Sequence, residues 1–224
     1  MQGPLSLQIF RMCYNAGMKL YRVPGVLQTL REKLEAPERA ERAFDLIEGR
    51  QPQARKAAVL LPLFEQDGTL SVVFIKRALS LRSHRGEIAF PGGGVEPEDT
   101  SPVMTALRES REEIGLDPAR VQVLGVLAPV FTVASNYVIT PVVAFLPQGL
   151  GTVQLQVSEV AELIVVPLAA LADPKIMHTE QWSRDGRSRT IYFYDYGSRR
   201  IWGATGRIVH AFLSLLATDT VYSD

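Results

Sequence analysis

Glu109, Glu112 and Glu113 stand i, i+3, i+4 in the run Arg108-Glu109-Ser110-Arg111-Glu112-Glu113-Ile114-Gly115-Leu116. On a helix this spacing puts three carboxylates on one face within a single turn, where like charges repel. Two readings compete. One is a solvated face salt-bridged to Arg108 and Arg111. The other is a divalent-cation site, with hard oxygen ligands for Mg²⁺ or Mn²⁺ completed by water and a substrate phosphate. The solvated face has no use for Gly92-Gly93-Gly94 just upstream. The metal site uses them, because glycine lets backbone approach a metal or phosphate closely. The metal reading is therefore preferred.

The flanking chain must position that helix. Ser101 predicts its cap, Pro102 its first turn and Gly115 its C-terminal stop. Glu87 to Phe90 predicts a short strand feeding a glycine loop stiffened by Pro91. Further upstream, Lys56 to Phe64 and Leu70 to Lys76 predict antiparallel strands around the turn Gln66-Asp67-Gly68. Arg77 to Gly86 predicts a loop carrying Arg77, Arg82 and Arg85. Guanidinium groups suit forked hydrogen bonds to phosphate, but taken alone this loop reads equally well as a solvated basic turn.

Downstream, Val121 to Val130 and Tyr137 to Leu146 predict two strands, with Phe131 to Asn136 a polar loop bordering the cleft. Ser158 to Leu168 reads as an acid followed by an apolar strand. Ile176 to Ser183 and Ser188 to Asp195 flank a hairpin turn at Arg184-Asp185-Gly186. A terminal helix is expected from Ile201-Trp202-Gly203 to about Ala217. Near the N-terminus, Val26, Leu27, Leu30 and Leu34 recur at helical spacing, and Pro37 opens a second helix with Ala40, Phe44 and Ile47 inward. This arm is expected to pack on the domain or on a second copy of the chain as a homodimer.

The stretch from Gly92 to Leu116 resembles a Nudix box, G-x5-E-x7-R-E-U-x-E-E-x-G-U with U a bulky aliphatic. Arg108, Glu109, Glu112, Glu113, Gly115 and Leu116 match. Ser110 replaces an aliphatic. The first Glu of the pattern falls on Thr100, and the nearest acid is Asp99. A second motif, L-L-T-x-R-S-x3-R-x3-G-x3-F-P-G-G, marks the coenzyme A pyrophosphatase subgroup. Arg77, Arg82, Gly86 and Phe90-Pro91-Gly92-Gly93 fall in its register, with Ala78 in place of the usual Ser.

The resemblance implies an α/β fold: a Nudix-type α/β/α sandwich with a mixed central sheet, preceded by an N-terminal helical extension. The expected division is residues 1–54 for the extension and 55–218 for the Nudix domain. It implies metal-dependent hydrolysis of the diphosphate bond of coenzyme A, free or acylated. Glu109, Glu112 and Glu113 are the implied metal ligands, joined by a carbonyl near Gly93, with Arg108 orienting the carboxylates. The base is Glu112 or Glu159, and Glu159 reads equally as a surface acid. Arg77, Arg82, Gly86, Phe90, Gly92 and Gly93 are the implied substrate contacts, beside an apolar wall for adenine or pantetheine. A broader nucleoside-diphosphate hydrolase acting on ADP-ribose or dinucleotides, and a non-catalytic nucleotide-binding Nudix module, are the alternatives. The module is disfavoured because the box carboxylates are intact.

Composition narrows the classes. With 46% hydrophobic and 21% charged residues in 224, the chain can build a full core. A formal net charge of +0 gives no basic surplus for general nucleic-acid binding. The lone cysteine, Cys13, excludes an internal disulfide and a cysteine zinc site, which suits a reducing cytoplasm. No apolar run is long enough for a membrane span, and Arg11 and Lys19 break any signal-peptide layout. The expected partner is a small nucleotide substrate, with neither nucleic acid nor membrane.

Overall fold

The computed structural model describes residues 23–37, 53–81, 83–133, 135–184 and 186–217. Arg82 and the helix expected beyond Pro37 lie outside them. The centre of the fold is a long strand, β1 (Arg55–Gln66), which turns at Asp67-Gly68 into its antiparallel partner β2 (Thr69–Arg77). The rest of β1 pairs in parallel with β7 (Tyr137–Phe145), so the sheet is mixed as expected. Its main path runs β3 (Ile88–Ala89), β2, β1, β7, β5 (Gln122–Val126). Three further strands pair off this path: β4 (Gly92–Gly94) with β1, β6 (Val130–Thr132) with β7, and β8 (Val160–Pro167) with β2.

Alternation along β1 sends side chains to two cores. Ala58, Leu60 and Phe64 join Val73 and Ile75 of β2 against α2 (Pro102–Ile114), through Ala106 and Ile114. Leu61 and Leu63 face the other way. They pack with α1 (Val23–Lys33) and α4 (Gly203–Ala217), through Leu30, Phe212 and Leu213. Helices thus cover both sheet faces. The helix expected from Val26, Leu27 and Leu30 is present, and these residues are buried in the domain's own core. A separate sheet, β9 (Met177–Arg184), β10 (Arg187–Tyr196) and β11 (Arg199–Ile201), adds Met177, Tyr194 and Ile201 to that second core. A short helix α3 (Leu168–Leu171) follows β8.

Three local expectations need correction. The glycine segment is a strand rather than a free loop, with Ala57, Ala58 and Val59 of β1 opposite Gly94, Gly93 and Gly92. Gly92 adopts φ 150°, and a Cβ there would lie 2.4 Å from the Ala58 carbonyl oxygen, so only glycine permits this pairing. The single strand expected over Val121 to Val130 is split into β5 and β6. Pro129 has no N–H for a ladder, and pairing resumes only at Val130. Phe131 and Thr132, expected in a loop, belong to β6.

Candidate active site

Helix α2 forms where the sequence places it because both ends are specified. Ser101 is extended and its hydroxyl accepts from Met104 N–H, while Pro102 occupies the first turn. At the other end Gly115 is left-handed at φ 70° and its N–H donates to the Arg111 carbonyl. Ser110, the odd residue of the box, is fully buried, and its hydroxyl donates to the Ala106 carbonyl at 2.6 Å. That bond satisfies the one polar group an aliphatic would not have brought.

The three box carboxylates are held differently. Glu113 is 2% exposed. Its Oε2 accepts from Gly92 N–H at 2.9 Å, and its Oε1 lies 3.6 Å from Arg77 Nη1. Burial pushes its carboxyl up to about 8, with Glu109 and Glu159 adding to the rise and the Gly92 N–H and Arg77 opposing it. Glu109 is raised too, again by burial first; Arg108 pulls it back and Glu112 and Glu159 push it further up. The Glu109 carboxylate lies against Gly93, where a Cβ would come within 2.4 to 2.6 Å of it. Glu112 is the exposed member.

Arg108 ties these groups together. Its Nη1 donates to Glu109 Oε1 at 3.1 Å and to Glu112 Oε2 at 3.3 Å, and its Nη2 donates to the Gly94 carbonyl at 3.0 Å. Its anchor is Asp99, which it meets through Nε at 3.2 Å and Nη2 at 2.9 Å. Hydrogen bonding to Arg108 holds the Asp99 carboxyl below its ordinary value and raises the Arg108 guanidinium in return. Glu96 N–H and the Thr105 hydroxyl also donate to Asp99. The sequence names Asp99 as the acid nearest the family position at Thr100 but assigns it no role. The signal was an acid adjacent to that vacant position.

Other expected residues divide by location. Gly86 is left-handed at φ 66°, and its N–H closes the loop on the Arg77 carbonyl at 3.1 Å. Phe90 is 2% exposed and stacks on Phe74 with ring centroids 4.7 Å apart, so it supports the glycine strand from the core. His84 pairs with Glu87 at 2.9 Å. Glu159 stands in the turn just before β8, and its charge acts on Glu109 and Glu113. Residues 154 to 156 run along the end of α2, with Gln154 N–H donating to the Ile114 carbonyl and Gln156 N–H to the Glu113 carbonyl. Ala78 N–H then donates to the Glu159 carbonyl at 2.8 Å.

Among the described residues no three His, Cys, Asp or Glu side chains already converge as a metal cage. The reason is visible in the partners: Arg108 occupies Glu109 and Glu112, and Gly92 and Arg77 occupy Glu113. The donor chemistry nevertheless fits a hard divalent ion. Every ligand offered is a carboxylate oxygen, and the burial, with the lesser carboxylate crowding, that raises Glu109 and Glu113 is what a cation offsets.

The mixed sheet between helices and this carboxylate helix fit a metal-dependent pyrophosphohydrolase. The NUDIX domain profile matches residues 54–185. The uncharacterized Nudix hydrolase NudL of Photorhabdus laumondii is 41% identical over 156 residues, 70% of this chain and 82% of its own. NudL of Escherichia coli O6:H1 is 36% identical over 155 residues, 69% of this chain and 79% of its own. Among solved structures, a Nudix hydrolase from M. smegmatis, RenU, is 29% identical with a TM-score of 0.41, covering 53% of this chain and 74% of its own. The chain belongs to the Nudix family. Enzymes of this family act on small nucleotide substrates and generally use divalent ions such as Mg²⁺ or Mn²⁺. No described helix is long and apolar enough to cross a membrane.

Proposed function

We propose that this pyrophosphohydrolase cleaves the diphosphate of coenzyme A, free or acylated, to adenosine 3′,5′-bisphosphate and 4′-phosphopantetheine or its acyl form. The observation that carries the reading is the position of Arg77. The subgroup motif that begins around Arg77 ends in the glycine strand, and Arg77 lies 3.6 Å from the buried Glu113. Arg77, Gly92 and Gly93 of that motif lie against the box carboxylates Glu113 and Glu109, which supports the reading. Arg82, the second motif arginine, lies outside the described residues and keeps its proposed phosphate role on sequence alone.

A Mg²⁺ or Mn²⁺ ion held by Glu109, Glu112 and Glu113 would neutralise diphosphate charge and acidify a bound water. The chain's own groups do the rest. Arg108, fixed by Asp99, orients the Glu109 and Glu112 carboxylates. Gly92 N–H fixes Glu113. Arg77 offers a guanidinium to a substrate phosphate. Water oxygen bonds to phosphorus, the bridging P–O bond breaks, and the bridging oxygen leaves with the electron pair on the other phosphate. The water proton passes to a carboxylate. We assign it to Glu159, because Glu112 is already engaged by Arg108 and Glu159 is exposed beside Glu109 and Glu113.

The test is product analysis with coenzyme A, dephospho-coenzyme A, ADP-ribose and NADH side by side, with Mg²⁺ or Mn²⁺ and with chelator. Adenosine 3′,5′-bisphosphate formed fastest, and only with metal, is the expected result. Preference for ADP-ribose or NADH overturns the substrate and keeps the hydrolase.

A further inference from the structure

The two most exposed large hydrophobic side chains of the described residues are Val157 at 80% and Leu79 at 71%. Scattered exposed aliphatics are ordinary. These two are not scattered. Leu79 follows Arg77 by two residues, and Val157 precedes Glu159 by two. Their turns continue the pairing of β2 with β8, where Arg77 lies opposite Val160. Beyond it, Ala78 N–H donates to the Glu159 carbonyl at 2.8 Å and the Ser80 hydroxyl to the Ser158 carbonyl at 3.3 Å. The Val157 turn is also tied to the carboxylate helix, since Gln156 N–H donates to the Glu113 carbonyl at 2.9 Å. Leu79 has its own seat. A Cβ on Gly86 would meet its Cδ2 at 3.0 Å, so the left-handed glycine leaves the space that the leucine covers.

We infer that Leu79 and Val157 form an apolar lip on the carboxylate site that binds the aliphatic, amide-bearing arm on one phosphate of the substrate. The inference rests on the coenzyme A reading above and identifies the residues that select that half of the molecule. A flexible chain of methylene, methyl and amide groups packs on aliphatic side chains. A second nucleoside would call for an aromatic surface, and neither residues 78–86 nor residues 156–159 contain Phe, Tyr or Trp. Leu79 and Val157 each stand two residues from Arg77 or Glu159 on the joined turns, within reach of an arm that leaves the diphosphate.

The experiment uses the full chain with Leu79→Ser and Val157→Ser, singly and together, and with Leu79→Met and Val157→Ile as conservative variants. Both positions are exposed, and unchanged melting temperatures check the fold. Product inhibition separates the two halves of the substrate. The double serine variant is expected to raise the inhibition constant of 4′-phosphopantetheine by about tenfold, while that of adenosine 3′,5′-bisphosphate stays within about twofold. The KM for acyl-coenzyme A rises with it, kcat holds, and the conservative variants restore wild-type values. Equal changes for both products, or no change for 4′-phosphopantetheine, overturn the lip while leaving the substrate intact. A wild-type enzyme that cleaves ADP-ribose but neither coenzyme A nor its acyl form overturns the substrate reading and the lip together.

Discussion

Asp99 grips Arg108 with both carboxylate oxygens, one on Nε at 3.2 Å and one on Nη2 at 2.9 Å. The guanidinium edge left over is what meets Glu109 and Glu112. Asp99 is therefore a positioning residue, one step behind the carboxylates that face the reaction. Asp99→Ala is expected to lower kcat by about 10- to 100-fold, in line with other residues that orient a ligand shell. It should also cost on the order of 2 kcal/mol of stability, since Asp99 is almost fully buried and Arg108 loses its anchor. Steady-state rates and denaturant unfolding check the two effects, and wild-type Mn²⁺ affinity in the variant would contradict the positioning role.

Gly93→Ala separates folding from chemistry. Its new Cβ would meet the Glu109 carboxylate, the mobile end of a side chain, rather than backbone. The side chain can swing away, so stability should change by about 1 kcal/mol or less. Catalysis should fall by about 100-fold or more, because a displaced carboxylate no longer meets the reacting groups. A variant of full activity would place Glu109 outside the reaction.

Glu112→Gln is expected to abolish turnover with the fold intact. Glu159→Gln should lower kcat by about 100-fold while leaving KM near its wild-type value. An unchanged kcat would move the proton acceptor back to Glu112.

The pH dependence of stability follows from Glu113. Its carboxyl sits at about 8 in the folded chain against its usual 4.5, so between those values the folded state holds a proton that the unfolded state has lost. The metal-free protein is thus most stable below about pH 4.5, as far as this group is concerned, and loses that contribution as pH rises through 8. Glu109, raised in the same direction, adds to the trend. Thermal melts in chelator should fall from pH 5 to 8.5, and Glu113→Gln should flatten the slope. Mg²⁺ should restore stability most at the alkaline end, because it binds the ionised carboxylates.

The residues with local signals were readable from the chain. The α2 cap at Ser101, the stop at Gly115 and the single-face carboxylates depend on neighbours within a turn or two, and the structure has all three. Misread segments depend on distant partners. Gly92 to Gly94 have no strand propensity of their own, and only β1 makes them a strand. Gly125 sits in a bulge of β5 where a Cβ would lie 2.6 Å from Leu34 Cβ, a contact no local pattern contains. The meeting of Arg77 with Glu113, near the turn that carries Glu159, was legible only as separate suggestions. The β2–β8 register that joins two of them spans about eighty residues of chain. Asp99 shows a different limit, since a pattern written in fixed spacings misses an acid that does the anchoring from one position away.

Glu113 is seated by a main-chain N–H of β4, and β4 is seated by the main chain of β1. Both links hold as long as Glu113 and Gly92 themselves are kept, because a Cβ on Gly92 would meet the Ala58 carbonyl. The reactive centre is thereby insulated from the amino acids chosen at the surrounding turns, which are free to drift or be exchanged. Leu79 and Val157, exposed on those turns, are the replaceable positions on that chassis, whereas Ala78 beside them is buried. If those two positions select the substrate's aliphatic arm, aromatic residues grafted there should shift preference toward dinucleotides without rebuilding the carboxylate helix.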